Sequence, residues 1–198
     1  MRVIILSKAP ILGQVKTRLQ PEYDAEQATE LHRLMLKATL TKVCSVFNDV
    51  WLAVDDVSHP YFAELKSDFA FKLKMQGKGD LGQRLRGLCE ASFDHDSSSI
   101  MFLGSDSPHV SLSRYKRAQE AIASHDVVIG PVEDGGYDLI ALSKPYLKLF
   151  DGIHWGTDSV IDETMNIING LKLKVHVLDM SFDLDRAQDI QRAPPASW

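Results

Sequence analysis

The sequence predicts an α/β protein whose sheet is mixed, mostly parallel, and covered by helices on both faces. Short apolar runs alternate with amphipathic helical segments along the whole chain, which is the pattern of successive βα units. The run at 100–103 is apolar without a break, as expected of a strand buried on both faces. Gly135 and Gly136 follow another apolar run and permit a tight reversal, so one strand is expected to return antiparallel to its neighbour.

The first half of the chain is predicted to begin with a β-branched, apolar strand at 3–6 that enters a polar loop. Asp24 then opens a helix, with Gln27 three residues later as in a capping box, and apolar residues at helical spacing continue it to about residue 46. The elements expected next are a strand at 50–54, a short helix from residue 60, a half-exposed strand at 69–75 and a helix at 83–93.

The second half repeats the alternation. The elements expected there are the strand from residue 100, a helix at 112–124, strands at 126–132 and 137–142, a helix at 157–169, a strand at 171–178 and a last helix near Ala187. No internal repeat and no long linker divides the chain, so residues 1–198 are predicted to form a single domain.

The composition disfavours nucleic-acid-binding, secreted and membrane proteins. A formal net charge of −5 disfavours general nucleic-acid binding, which requires a basic face. Cys44 and Cys89 show neither a pairing nor a metal-binding pattern, and no segment has the length and apolarity of a signal peptide or a membrane span. We therefore expect a soluble, cytoplasmic protein that binds neither nucleic acid nor membrane.

Asp106 follows the strand at 100–103 at the point where ligands collect in open α/β sheets, outside the carboxyl ends of the strands. A carboxylate at the rim of an apolar layer requires a partner, and a divalent cation is one candidate. Aspartate also commonly caps a turn or the next helix, and the stretch by itself does not separate the two interpretations.

The loop after the first strand, at 7–19, contains three cationic residues, Lys8, Lys16 and Arg18, and no acidic residue. Loops in this position often bind phosphate through backbone N–H groups, and Gly13 would let the backbone approach a ligand closely. The run is not a Walker A motif. Anion binding is favoured over a merely solvated cationic loop.

The segment 77–82 fits G-x-G-x-x-G, and Asp106 lies at about the distance expected for the acidic residue of a Rossmann dinucleotide site. The strand before it alternates polar and apolar residues, unlike the buried first strand of such a unit, and the cationic loop would remain unexplained. An NAD-dependent oxidoreductase is therefore a minor alternative.

Asp183 and Asp185 form an i, i+2 pair, so in an extended segment their carboxylates point to the same side. A helix cap with an acidic first turn explains them equally well in isolation. Together with Asp106, they favour a hard cation. Asp134 and Tyr137 follow a strand end and are candidates for ligand contacts. His109 lies beside the Asp106 loop and is predicted to be a surface residue rather than a ligand.

Taken in order, these motifs resemble one family. They are K-A-P-I-L-G-Q-V-K-T-R-L, G-D-L-G-Q-R-L, G-S-D-S-P, G-P-V-E-D-G-G-Y-D-L-I-A-L, W-G-T-D and D-L-D-R-A-Q-D-I. The chain closely resembles the glycosyltransferase-A-like family of radical-SAM/selenodomain-associated transferases. It is more distantly similar to the guanylyltransferases of molybdenum cofactor and of the 2-phospholactate precursor of a deazaflavin cofactor. The resemblance implies the three-layer αβα fold of nucleotide-diphospho-sugar transferases.

The resemblance also implies roles for individual residues. Nucleotide binding falls on Ser7, Lys8, Ala9, Gly13, Lys16, Thr17, Gly79, Asp80 and Gly82. Acceptor binding falls on Asp134, Gly135, Gly136, Tyr137, Trp155 and Thr157. Asp106, Asp183 and Asp185 match metal-binding positions, while Lys16, Arg18 and Asp106 are the candidate catalytic residues. The sequence departs from the family in having no D-x-D at Asp106, and Arg186-Ala187 in place of a threonine-proline pair.

The expected function is a Mg²⁺- or Mn²⁺-dependent nucleotidyltransferase acting on a nucleoside triphosphate and a small-molecule acceptor. The cationic loop favours this activity, because it offers more positive charge than a diphosphate requires. A glycosyltransferase using a nucleotide-sugar donor is the first alternative, since the same cations would serve either leaving group. A non-catalytic nucleotide-binding protein is the alternative from a different class.

Overall fold

The computed structural model describes residues 1–20, 22–95 and 97–198. The strands of this described part are β1 (Arg2–Ser7), β2 (Val50–Val54), β3 (Lys72–Met75), β4 (Ile100–Gly104), β5 (Val127–Pro131), β6 (Tyr137–Leu142) and β7 (Val175–Val177). The α-helices are α1 (Ala25–Cys44), α2 (Pro60–Asp68), α3 (Leu81–Asp94), α4 (Leu112–Ala121), α5 (Val160–Gly170) and α6 (Ala187–Arg192). None of the helices described is both long and apolar enough to cross a membrane.

The strands form one sheet in the order β3-β2-β1-β4-β6-β5-β7. β1 pairs in parallel with both β2 and β4, and β6 is antiparallel to its neighbours β4 and β5. The predicted mixed, mostly parallel sheet is therefore confirmed. Because β1, β2, β3 and β4 all run in one direction, their carboxyl ends meet at the same edge of the sheet.

The sheet separates two apolar layers, as the alternation of side chains along a strand requires. Val3 and Ile5 of β1 face one cluster, which includes residues of α1, α2 and α4. Ile4 and Trp51 face the other cluster, which α3 and α5 cover. This arrangement is the predicted three-layer αβα architecture.

A third, smaller apolar cluster lies beyond the sheet edge. It joins Leu19 of the first loop to Met35 of α1 and to Leu184 near the end of the chain, all of them fully buried. Burial of these apolar side chains is favourable by about 25 cal/mol per Å², so the cluster holds distant segments together. It brings the cationic loop and the Asp183–Asp185 segment to the same place.

Helix starts agree with the local sequence signals, while some element bounds differ. Asp24 and Gln27 form the predicted capping box at the start of α1, at 2.8 and 3.0 Å. α3 begins at Leu81 and not at residue 83, because Asp80 makes the same kind of cap with Gln83. The predicted strand at 171–178 is reduced to Val175–Val177.

Candidate active site

A cavity of about 570 Å³ opens at the carboxyl edge of β1 and β4. The first loop forms one side of it, and the turn after β4 with residues of α1, α3 and the final segment forms the rest. Its walls include Ser7, Lys8, Gln14, Val15, Lys16, Thr17, Arg18, His32, Gln76, Leu81, Arg84, Gly104, Ser105, Asp106, Gly156 and Asp185. The cavity therefore lies where the strand order predicts a ligand site.

Lys16 links the first loop to both acidic segments. Its backbone is left-handed, with φ 49° and ψ 37°, a conformation that is uncommon outside glycine. Its ammonium nitrogen donates to the Leu184 carbonyl and to Asp185 Oδ1, each at 2.9 Å, and lies 3.0 Å from Asp106 Oδ1. An ammonium group has three N–H donors, so these three oxygens occupy them all.

This geometry differs from the implied role of Lys16 as a residue that faces phosphates. The side chain is only 5% exposed, and its donors are directed at protein oxygens. Three other cationic residues line the cavity, namely Lys8, Arg18 and Arg84. Arg18 is 62% exposed and contacts Asp185 Oδ2 at 3.1 Å through Nη1.

Charge pairing and burial shift the pKa values in this cluster. Burial by itself would lower the pKa of Lys16, but the adjacent Asp106 and Asp185 carboxylates raise it above its ordinary value. Burial would likewise raise the pKa of Asp106, and the nearby Lys16 charge brings it below the ordinary value instead. Burial and then the charge of Asp106 raise the pKa of Asp183 to about 7.

The chain segments that carry the three acids predicted to bind metal come together. The Leu184 backbone N–H donates to the Asp106 carbonyl at 2.8 Å, and the Ser107 hydroxyl donates to Asp183 Oδ1. Among the residues described, however, no group of three or more His, Cys, Asp or Glu side chains is placed to hold a metal ion. A cation here would depend on one or two carboxylates together with ligand oxygens, which is the coordination Mg²⁺ commonly has in phosphate-binding sites.

A second cavity of about 280 Å³ adjoins the first, and the two share Arg18, Leu81 and Gly156 in their walls. Five of the six predicted acceptor residues line it, namely Asp134, Gly136, Tyr137, Trp155 and Thr157. Asp158, Val160 and Asp183 complete the wall. Two ligands bound in these cavities would therefore meet beside Arg18.

Comparison with known proteins places the chain in a family. Residues 36–157, more than half of the chain, match the family described as "Uncharacterized protein conserved in bacteria (DUF2064)". The chain belongs to the DUF2064 family. A search of curated proteins finds no match to it.

Solved structures share the fold of this DUF2064 protein. A candidate nucleotide-diphospho-sugar transferase from Desulfovibrio desulfuricans G20 superposes with a TM-score of 0.87 at 26% identity, covering 98% of this chain and 87% of that one. A 4-diphosphocytidyl-2C-methyl-D-erythritol synthase from Anaerococcus prevotii DSM 20548 gives 0.62 at 10% identity, covering 97% and 94%. A CMP-2-keto-3-deoxy-manno-octonic acid synthetase in complex with CTP gives 0.62 at 10% identity, covering 98% and 96%.

These likenesses confirm the predicted fold class and the glycosyltransferase-A-like resemblance. The strand order argues against the Rossmann interpretation of G-x-G-x-x-G. The strand before that motif, β3, lies at the edge of the sheet, whereas Asp106 follows β4, on the far side of β2 and β1. Asp106 therefore follows a strand that is not adjacent to β3, unlike the acidic residue of a Rossmann site.

Two predicted nucleotide-binding residues of the first loop lie outside the cavity wall. Ala9 is buried, and its backbone N–H donates to Asp55 Oδ1 at 2.6 Å, which fastens the loop to the end of β2. Gly13 has φ +73°, so it provides the left-handed turn of the loop. Ser7, Lys8, Lys16 and Thr17 do line the cavity.

The glycine-rich loop before α3 builds the helix start instead of the cavity wall. Asp80 caps α3 by accepting from the Gln83 N–H at 2.8 Å. Gly79, at φ +96°, leaves room for Gln83, and a Cβ on Gly82 would come within 2.5 Å of the Phe150 carbonyl oxygen and of Trp155 Nε1. Gly79, Asp80 and Gly82 therefore stay outside the cavity wall, which their neighbours Leu81 and Arg84 line.

Gly135 has a similar packing role. Its φ is +86°, and a Cβ there would collide with the backbone of Asp158, while its carbonyl accepts from the Ile161 N–H at 2.8 Å. It holds the β5–β6 turn against the start of α5 and does not line the second cavity.

His32 and Gln76 are cavity residues that the sequence analysis missed. His32 Nε2 lies 2.9 Å from the Lys8 carbonyl oxygen, and burial lowers the pKa of this histidine. Gln76 Nε2 donates to the Ser7 and Ala53 carbonyls, each at 2.9 Å, and its Oε1 accepts from Arg84 at 2.7 Å. The position of Gln76 directly after β3 was a usable signal, whereas His32 looks like any other residue of the α1 stripe.

Proposed function

We propose that this DUF2064 protein is a metal-dependent nucleotidyltransferase that uses a nucleoside triphosphate and a small-molecule acceptor. The observation that carries the proposal is the pair of adjoining cavities that meet at Arg18, the larger one bordered by Lys8, Arg18, Arg84 and Asp106. The cations fit a polyphosphate, and the smaller cavity fits a second substrate.

The carboxylates fit a hard divalent cation. Asp106 is 42% exposed toward the cavity, and burial followed by the negative charge of Asp106 raises the pKa of Asp183, as expected of two acidic groups that lie close together. We expect Asp106, with Asp183 or Asp185, to hold Mg²⁺ or Mn²⁺. Such an ion would polarise phosphate oxygens and offset the charge that develops on the leaving group.

The residues of the chain supply position and charge for the reaction. Arg18 can contact the phosphates with its bidentate fork, while Arg84 and Lys8 offset charge farther along the polyphosphate. The acceptor oxygen, held in the second cavity, attacks the α-phosphorus, and the bond from that phosphorus to the bridging oxygen breaks. Pyrophosphate leaves with the electron pair. Holding both substrates in line supplies much of the rate enhancement in such reactions.

Glycosyl transfer is the second candidate function. The description of the Desulfovibrio desulfuricans protein as a candidate nucleotide-diphospho-sugar transferase, at 26% identity over nearly the whole chain, favours it. In that reaction the acceptor attacks the sugar carbon and a nucleoside diphosphate leaves. The cation-bordered cavity serves either leaving group.

Thermal denaturation with a panel of nucleoside triphosphates and nucleotide sugars, each with and without Mg²⁺, tests the proposal. A nucleotide at about 100 times its Kd should raise the Tm by roughly 5–10 °C, with Mg²⁺ required for the full effect. Asp106→Asn should remove the part of the Tm increase that depends on Mg²⁺. Asp162→Asn, which changes an exposed residue of α5 outside both cavities, should leave that increase unchanged.

Three results would count against this proposal. An unchanged nucleotide affinity in Asp106→Asn, measured by calorimetry, would remove Asp106 from the site. Stabilisation by NAD(H) alone, with no effect of Mg²⁺, would favour an oxidoreductase. Nucleotide binding without consumption in the presence of any acceptor would support the non-catalytic alternative.

A further inference from the structure

The charge of the second cavity restricts which acceptors can bind there. This inference rests on the proposed transferase function. The wall of this cavity contains the carboxylates of Asp134, Asp158 and Asp183. Among the described residues that line it, Arg18 is the one cationic side chain, and its Nη1 already contacts Asp185. The first cavity is bordered by four cationic side chains, Lys8, Lys16, Arg18 and Arg84, so the two cavities differ in their electrostatic character.

A phosphorylated acceptor fits this wall poorly. A phosphate ester carries up to two negative charges and would lie beside the exposed carboxylates of Asp134 and Asp158, with one guanidinium in the wall, that of Arg18, to offset them. Phosphate sites in proteins are instead built from Arg and Lys side chains and from free backbone N–H groups.

Hydroxyl and amino groups fit the same wall well. Asp134 and Asp158 are both exposed, and Asp134 uses Oδ1 to accept the Gly136 N–H at 3.0 Å, which leaves Oδ2 for a ligand. Carboxylates accept hydrogen bonds from hydroxyls and form charge-assisted ones with ammonium groups.

Two aromatic side chains form much of the apolar surface of the second cavity. The rings of Tyr137 and Trp155 meet edge to face, with centroids 6.2 Å apart, beside Leu81 and Val160. A volume of about 280 Å³ corresponds to roughly nine water molecules, which suits a monosaccharide-sized molecule. Polar groups around an aromatic surface suit a polyol, with C–H faces and hydroxyl edges.

We propose that the acceptor is an uncharged or amino-bearing polyhydroxyl compound, such as a free sugar or amino sugar, and not a phosphate ester. The attacking group is then a hydroxyl oxygen. In nucleotidyl transfer it bonds to the α-phosphorus as pyrophosphate leaves, and in glycosyl transfer it bonds to the anomeric carbon as the nucleoside diphosphate leaves. In both reactions the hydroxyl proton passes to solvent.

Two matched acceptor pools test the inference. One contains glucose, galactose, mannose and their 2-amino forms, and the other contains the 1- and 6-phosphates of the same sugars. Each pool is incubated with the protein, Mg²⁺, nucleoside triphosphates and nucleotide sugars, and conjugates are measured by mass spectrometry. Binding of each pool in the presence of nucleotide is followed by saturation-transfer NMR.

The uncharged and amino pool should bind at least tenfold more tightly than the phosphate pool. The double variant Asp134→Asn with Asp158→Asn should reduce this preference at least tenfold, whereas the control Asp162→Asn should keep it. Preferred binding or consumption of the phosphate pool would overturn the inference, as would failure of every unphosphorylated sugar to bind in the presence of nucleotide.

The experiment separates this inference from the function on which it rests. Conjugates formed from phosphorylated sugars would overturn the acceptor class and leave the transferase in place. Failure of every triphosphate and nucleotide sugar to bind would overturn the transferase itself, whatever the second cavity accepts.

Discussion

The Lys16 ammonium lies 3.0 Å from the Asp106 carboxylate, and this contact joins the loop after β1 to the turn after β4. Asp185 and the Leu184 carbonyl complete the surroundings of the ammonium at 2.9 Å. The same lysine therefore fixes three chain segments around the larger cavity. Its loss should affect both folding stability and cation binding.

Lys16→Met should lower the free energy of unfolding by about 1–3 kcal/mol. Removing one partner of a buried ion pair costs about 3–5 kcal/mol, and the expected value is smaller because Asp106 and Asp185 are 42% and 30% exposed. Urea denaturation measures the change. Arg18→Met is the control, since Arg18 is 62% exposed and its ion pair is expected to contribute less than about 1 kcal/mol.

The same variant should also respond more strongly to Mg²⁺. Without the ammonium, the carboxylates of Asp106 and Asp185 keep only the exposed Arg18 as a cationic partner at Asp185, and a divalent cation would offset their repulsion more fully. The Tm of Lys16→Met should therefore rise more with Mg²⁺ than the Tm of the natural chain. An equal rise in both would show that Lys16 and the cation do not share these carboxylates.

The ion pair between Arg114 and Asp138 should be important for stability. Both side chains are about 5% exposed, and the two contacts measure 2.9 and 3.0 Å. Arg114→Met leaves a buried carboxylate unpaired and should cost about 3–5 kcal/mol. Adding Asp138→Leu should recover much of this loss, and a double-mutant cycle from chemical denaturation gives the coupling. Additive losses would contradict the predicted coupling.

His109 should make stability depend on pH. Its ring stacks on Phe182, and neither ring nitrogen has a hydrogen-bond partner among the described residues. Burial and then the nearby cations, Lys42 first, lower the pKa of His109 from 6.5 to about 4. Between these values the unfolded chain binds a proton and the folded chain does not, so stability falls as the pH is lowered from 6.5 towards 4.

The size of this effect is at most about 3 kcal/mol, and it is reduced by solvent because His109 is only partly buried. His109→Phe, which keeps the stacking on Phe182, should remove this part of the pH dependence. Urea denaturation of the natural protein and of His109→Phe at pH 4.5 and 7.5 separates the contribution of His109 from that of the acidic groups, which both proteins share. Parallel stability curves would show that His109 does not contribute.

Gly82→Ala should lower the free energy of unfolding by about 1–3 kcal/mol, because the added Cβ would come within 2.5 Å of the Phe150 carbonyl oxygen and Trp155 Nε1. Gly87→Ala in the same helix meets nothing within 4 Å and should stabilise by about 0.5–1 kcal/mol. Thermal denaturation compares the two, and Trp155 fluorescence should change only in the first. Equal stabilities would contradict the close packing at Gly82.

The features that the sequence determined by itself depend on neighbours along the chain. The apolar run of β4, the Asp24–Gln27 cap and the Gly135-Gly136 reversal each follow from spacing within a few residues, and all are present. The sequence also indicated which residues would gather at the sheet edge, because the carboxyl ends of parallel strands meet there.

The tertiary structure decided how these residues are used. The third apolar cluster brings Leu19 and Leu184 together, and thereby directs the ammonium of Lys16 to Asp185. The tertiary structure also places His32 against the first loop and packs Gly82 against Phe150 and Trp155. Such pairings depend on distances between remote segments, which the periodicity and spacing of a single sequence do not specify.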